Sequence, residues 1–238
     1  MTPTRVTHWR GAPVAAVVLA GGVGRRFGAD KARALVAGTR LIDRALAATA
    51  AFEPVWVVAG EPARAAALAP LLPDPDRVVA DDAPGAGPIG GIATALRLAG
   101  RRWVAVLAVD LPLIDPAWWP ALMAAADAAP GAADARPLAV AARGPDGRWD
   151  PLAALYHGDL APLAAEHAAP GGDHSLRRFL AAAGAQAVAH EALPEGAVAA
   201  LHNVNTREDA AAVESRWSGR REASGDGGAG AARPEEDR

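Results

Sequence analysis

One lysine stands in the whole chain, Lys31, and every other basic side chain apart from the histidines is arginine. It closes a loop that reads GGVGRRFGADK, with glycines at 21, 22, 24 and 28 and arginines at 25 and 26. Glycines let backbone N–H groups approach an anion, and cations neutralise it, so this is the layout of a phosphate-binding loop. The lone lysine supplies a compact, flexible ammonium where the chain otherwise writes a planar guanidinium. Arg25 reads as a surface charge; Arg26, beside Phe27, is better placed to reach a ligand. Carboxylates follow two later apolar runs. Asp81 and Asp82 come after RVVA, and Asp110 comes after WVAVLAV. Mg²⁺ takes one or two carboxylates and completes its shell with water and phosphate oxygens. Two carboxylates opposite a basic glycine loop therefore describe a Mg-nucleotide site, in which Lys31 and the arginines stabilise a phosphoryl or nucleotidyl group in transfer.

Plainer readings stand beside these. The glycines alone make a turn-rich loop, Asp110 alone a solvated turn or a helix cap, and Asp81-Asp82 a polar turn before Pro84. The loop lacks the Lys-Ser or Lys-Thr of a Walker sequence. It half-fits the dinucleotide fingerprint, but its third glycine is displaced to Gly28 and two arginines crowd it. The six histidines show no metal-ligand spacing. Trp118-Trp119 reads as helix-to-sheet or interface packing, and Arg177-Arg178 as a solvated helix face that could also meet a phosphate. Asn203 and Asn205 are the only asparagines and sit two apart in HNVNT. An amide offers donor and acceptor together, which suits a heterocycle or a loop backbone equally.

The elements that must position these residues alternate. Val14–Ala20 reads as a parallel-type strand by its continuous apolarity. Thr39–Phe52 has helical spacing. Further strands are expected over Pro54–Ala59, Arg77–Ala80 and Trp103–Val109, and further helices over Ala63–Leu71, Pro88–Leu98 and Pro116–Ala128. This β-α alternation predicts a doubly wound sheet, with the glycine loop, Asp81 and Asp110 at the carboxyl edge where such sheets bind ligands. The second half is less regular. Pro137–Ala142 and Trp149–Tyr156 read as strands around a Gly144–Gly147 turn, Leu160–His167 as a helix, and Ala187–His190 as a strand. Asp173 is expected to cap a helix over Ser175–Ala183, and Thr206 one over Arg207–Trp217.

The chain has 238 residues, 51% of them hydrophobic and 21% charged, with a formal net charge of −3 and no cysteine. That fits one domain with a large core, or at most two small ones. It leaves no basic field for nucleic acid, no disulfide or thiol chemistry, and no Cys-ligated zinc. No apolar run approaches a membrane span, and the first residues lack a signal-peptide core. Residues 1–12 read as a flexible leader, 13–217 as the domain, and 218–238, rich in Gly, Ser and charge, as a disordered tail.

The blocks LAGGVGRRFGADK, Asp81 with PGAGPIGG, AVDLPLI, DPLAALY and HNVNTRED together resemble the signature of the MobA-like nucleotidyltransferases, specifically the molybdenum cofactor guanylyltransferases. The resemblance implies a Rossmann-like three-layer αβα sandwich with a mostly parallel sheet. It implies transfer of GMP from GTP to molybdopterin-bound molybdenum, with Mg²⁺, giving the guanine dinucleotide cofactor and pyrophosphate in the cytoplasm. Carried over by position, Leu19, Ala20, Gly21 and Gly22 would contact the nucleotide, Lys31 its phosphates, Asp81 the nucleotide, and Asp110 both nucleotide and Mg²⁺. Arg26 would stabilise the transition state, and Asn203 and Asn205 would lie on the pterin side. Partners would be GTP, the pterin cofactor, and molybdoenzymes or proteins that deliver cofactor to them. The family often carries an asparagine at the end of the second strand; here that place reads Val57-Val58-Ala59, so no such contact is expected. The alternatives are a sister cytidylyl-, guanylyl- or sugar-nucleotidyltransferase, a non-catalytic nucleotide-binding regulator, and an NAD-type dehydrogenase. The LAGG string favours guanine among the sisters.

Overall fold

The computed structural model describes residues 5–21, 30–129, 137–206 and 208–214. Gly22, Arg25, Arg26 and the expected tail 218–238 lie outside them. Among the described residues seven strands form the main sheet: β1 (Ala12–Leu19), β2 (Val55–Val58), β3 (Val78–Val79), β4 (Trp103–Ala108), β5 (Ala139–Arg143), β6 (Trp149–His157) and β7 (Gln186–Ala189). Their spatial order is β7-β5-β6-β4-β1-β2-β3. All neighbouring pairs run parallel except those made by β6, which is antiparallel to both β4 and β5. The mostly parallel sheet expected from the sequence is thus present, with one reversed strand.

The helices are α1 (Leu41–Ala48), α2 (Pro62–Leu68), α3 (Pro88–Ala99), α4 (Trp118–Ala128), α5 (Ala161–Ala168) and α6 (Leu176–Ala182). Successive side chains of β1 point to opposite faces, and both faces are covered. Ala16 and Val18 belong to one buried cluster with Leu41 and Ile42 of α1 and Trp119 and Leu122 of α4. Val17 and Leu19 belong to the other, with Ile89, Ile92 and Leu96 of α3 and Phe179 and Leu180 of α6. That is why β1 and β4 read as unbroken apolar runs: neither strand has a wet face. The tryptophan pair packs helix to sheet. Trp118 Nε1 donates to Ala153 O at 3.1 Å and Trp119 Nε1 to Ala48 O at 2.9 Å.

Three expectations change. His8–Trp9, placed in a leader by the sequence, pairs antiparallel with Ala12–Pro13, and Trp9 is buried against Trp103. Ser175, not Asp173, caps α6: its hydroxyl accepts from Arg178 N, while Asp173 accepts from Ser175 N and the Arg178 guanidinium. A short helix, Glu195–Val198, was not expected. Residues 208–214 are helical, as the Thr206 cap predicts. Among the described residues no helix is long and apolar enough to cross a membrane.

Candidate active site

The strand order reverses between β1 and β4, and such a switch point opens a crevice at the carboxyl ends of the strands. A cavity of about 480 Å³ lies there. Its wall is built from the ends of four adjacent strands and the residues that follow them: Leu19 and Gly21 at β1, Val58, Gly60 and Glu61 at β2, Asp81 at β3, and Ala108, Val109 and Asp110 at β4. Lys31, the turn before α3 with the start of that helix, and Leu152 of β6 complete it. Leu152 is one residue beyond Pro151, which has no N–H for the ladder, and the β5–β6 register shifts across this stretch.

The backbone at the mouth is tightly fitted. Gly21 lies against Gly60, so a Cβ on Gly21 would stand 3.0 Å from the Gly60 Cα. Gly60 has φ +77°, a conformation that favours glycine. In α3, a Cβ on Gly90 would stand 2.7 Å from Ala83 O and 3.1 Å from both Asp81 carboxylate oxygens. One on Gly91 would stand 2.9 Å from Leu19 Cδ2. The GG pair thus lets a helix close on both β1 and the Asp81 carboxylate.

Lys31 is the centre of the polar contacts. It is 8% exposed, and its ammonium donates to Asp110 Oδ2 at 2.8 Å and to Asn205 Oδ1 at 2.7 Å. Residues 79 and 174 positions away in sequence thus meet at one nitrogen. Each partner is fixed in turn. Val204 N donates to Asp110 O at 2.8 Å, tying the HNVNT segment to the end of β4. Asn205 N and Thr206 N both donate to Asp209 Oδ2, and Asp209 N donates back to Thr206 Oγ1, a capping box at the start of the last helix. These bonds hold the Asp209 carboxyl below its ordinary range. Before Lys31, Asp30 Oδ1 accepts from Ala32 N and from the Arg64 guanidinium of α2 at 2.5 Å, which ties the residue beside Lys31 to α2. Sequence reading missed this latch; its one signal is the acid beside the lone lysine.

The Asp110 Oδ1 oxygen is buried and has no partner among the described residues. A buried carboxylate oxygen left unpaired is costly unless a ligand meets it. Asp81 is half-buried, and burial pushes its carboxyl above the usual range against the Ala83 N–H and Thr94 hydroxyl, which lower it; the charges of Asp82 and Glu61 push it further up. Its Oδ1 accepts from both Ala83 N and Thr94 Oγ1. Asp82 turns away and forms a surface pair with Arg97 at 2.6 Å, so the acidic doublet divides into one site residue and one surface residue. Asn203 is exposed and does not line the cavity, whereas Asn205 reaches Lys31. Leu19, Asp81, Asp110 and Lys31 are thus brought to one cavity, with Gly21 at its mouth and Ala20 buried between Leu19 and Gly21.

Residues 16–192 match the MobA-like NTP transferase domain. The chain belongs to that family. A MobA-like relative from Opitutus terrae, named "probable molybdenum cofactor guanylyltransferase", is 39% identical over 175 residues, 71% of this chain and 78% of the relative. The molybdenum cofactor guanylyltransferase of Serratia proteamaculans is 31% identical over 204 residues, 82% of this chain and 91% of the relative. Among solved structures, molybdopterin-guanine dinucleotide biosynthesis protein A of Archaeoglobus fulgidus superposes with a TM-score of 0.73 at 25% identity, covering 86% of this chain and 99% of that one. The MobA-like fold accounts for the sheet order, and the cavity lies where its switch point predicts.

Proposed function

We propose that this chain transfers GMP from GTP to molybdopterin-bound molybdenum cofactor, releasing pyrophosphate, at the cavity between β1 and β4. The observation that carries the reading is the Lys31–Asp110 pair at the switch point of a MobA-like fold, with one Asp110 oxygen buried and without a partner among the described residues. The nucleotide would lie along Leu19, Ala20, Gly21 and Gly22, with Asp81 beside it and Lys31 on its phosphates. Arg26 would add a second cation at the transition state.

Mg²⁺ fits the donor set: a single carboxylate with a free oxygen is what such an ion takes from protein when substrate phosphates supply the rest of its shell. Asp110 would hold it, and when bound it would neutralise charge on the triphosphate. The chain's own residues do the positioning. A terminal phosphate oxygen of the pterin cofactor attacks the α-phosphorus in line; a new P–O bond forms as the bond to the β-phosphate oxygen breaks, and pyrophosphate leaves with that electron pair. A phosphate nucleophile is already ionised, so no general base is needed, and orientation with charge neutralisation supplies the rate. Lys31 would donate a third hydrogen bond to a phosphate while keeping those to Asp110 and Asn205. Asn205, with Asn203 further out, would meet the pterin side. The reaction belongs to the cytoplasm, where GTP is available, and its product would pass to molybdoenzymes or to proteins that deliver cofactor to them.

The test supplies labelled GTP or CTP with Mg²⁺ and molybdopterin and measures label incorporated into the pterin and pyrophosphate released. GTP-dependent incorporation is expected. Preference for CTP would overturn guanylyl transfer in favour of a sister activity.

A further inference from the structure

The cavity has two chemically different ends. Lys31 and Asp110 stand where β1 meets β4, while Glu61 and Asp81 stand past the ends of β2 and β3. From β4 to β3 is three strand spacings, roughly 14 Å at about 4.8 Å each. A nucleotide with its phosphates on the lysine must place its base toward the carboxylates. Val58 and Gly60 offer no polar side chain there. Among the described residues the cavity's polar side chains are Lys31, Glu61, Asp81 and Asp110 only.

Glu61 is the uncommitted member of that set. It precedes α2 as its N-cap residue, yet its side chain makes no capping bond. It enters no ion pair among the described residues, and its charge is felt by Asp81. Asp81, by contrast, has one oxygen already committed to Ala83 N and Thr94. The backbone carrying Glu61 is held on both sides. Asp81 N donates to Gly60 O at 2.7 Å, and Gly60 packs on Gly21. The carboxylate therefore projects from a fixed point at the base end.

We infer that Glu61 reads the guanine of GTP, its two carboxylate oxygens accepting the N1–H and the 2-amino group together. This rests on the guanylyl-transfer reading above. Guanine presents two adjacent donors on that edge, and a carboxylate meets both with charge-assisted bonds. Adenine and cytosine place an unprotonated ring nitrogen there, which a carboxylate repels. A site built to accept a donor rejects the analogue that lacks it far more strongly than an apolar pocket could.

The experiment titrates the full chain with GTP, ITP and CTP in the presence of Mg²⁺ by calorimetry, for the unaltered protein, Glu61→Gln and Glu61→Ala. ITP keeps the N1–H but lacks the 2-amino group. The unaltered chain is expected to bind GTP at least about tenfold more tightly than ITP. Both variants should lose roughly 10- to 100-fold in GTP affinity and less in ITP affinity, so that the GTP-to-ITP ratio falls toward one. An unchanged ratio in both variants, or an equal loss for all three nucleotides, would overturn the assignment of Glu61. Preference of the unaltered chain for CTP over GTP would instead overturn the guanylyl reading itself. The Gln variant, near-isosteric at an exposed position, guards against loss of fold.

Discussion

Lys31 shows what a single residue contributes that its charge alone does not. Its ammonium has three donors, and among the described residues two go to Asp110 and Asn205, with Lys31 itself 8% exposed. A guanidinium carries the same charge on a larger, planar fork and cannot occupy that point between two acceptors. Lys31→Arg is therefore expected to lower kcat/KM about 10²- to 10³-fold, the range seen when one preorganised donor to a transition-state oxyanion is lost. Steady-state kinetics with GTP would check it, and full activity would show that the lysine's uniqueness is an accident of composition. The residue was legible in the sequence because it broke the chain's habit of writing arginine. Its partners were legible only as types. The rarity of Asn205 marked it, but nothing in the order of residues says that it meets a nitrogen 174 positions earlier. Glu61 was invisible for a simpler reason. One more glutamate after a Gly has no local signature, and only the closing of β2 on β3 brings it to the cavity.

At the scale of elements, periodicity and punctuation located most strands and helices of the first half, because a strand buried on both faces is a continuous apolar run and a helix after Pro88 starts where proline is tolerated. They also located β6, whose antiparallel return to β5 follows from the short Gly144–Gly147 turn. What they could not give was its place in the sheet: neighbours are not written in a strand's composition, and β6 lies between β5 and β4. Cap identity was similarly out of reach, since Asp173 and Ser175 are both good caps and their roles are set by which side chain points back along the helix. The GG pair of α3 is the element-level feature with the sharpest consequence. Gly90→Ala sets a methyl group 2.7 Å from a backbone carbonyl and 3.1 Å from both oxygens of Asp81. The carbonyl cannot rotate away and the carboxylate is held by Ala83 N and Thr94, so overpacking of about 1–3 kcal/mol is expected. In a domain of this size that lowers Tm by about 2–4 °C per kcal/mol. Gly91→Ala meets the far end of Leu19, which can shift, and should cost less. Thermal denaturation of the two variants side by side separates these; equal losses would mean that α3 yields as a body and that Gly90 has no special role.

The whole molecule is held at its site by residues drawn from positions 19–21, 31, 58–61, 81–91, 108–110 and 205, which only the completed sheet brings together. Two of the charges there already answer one another in the protein without ligand: Asp110 Oδ2 is held by Lys31 at 2.8 Å with both side chains largely buried. An ion pair of that kind is costly to break one-sidedly but self-sufficient when intact. The fold should therefore not depend on a metal, and EDTA alone is expected to leave Tm unchanged. The situation reverses once a triphosphate enters. On the proposed reading Lys31 would then be shared between Asp110 and a phosphate, and the Asp110 oxygen that has no partner among the described residues would face added negative charge, which a divalent cation would offset. GTP with Mg²⁺ at 100 times its Kd should stabilise by about 2.7 kcal/mol, a rise in Tm of roughly 5–11 °C. GTP with EDTA should give only a small part of that rise. Differential scanning calorimetry of the four conditions tests the argument at once. A fall in Tm with EDTA alone would make the cation structural, and an equal rise with GTP in the presence and absence of Mg²⁺ would remove Asp110 from the metal and leave it as the anchor of Lys31.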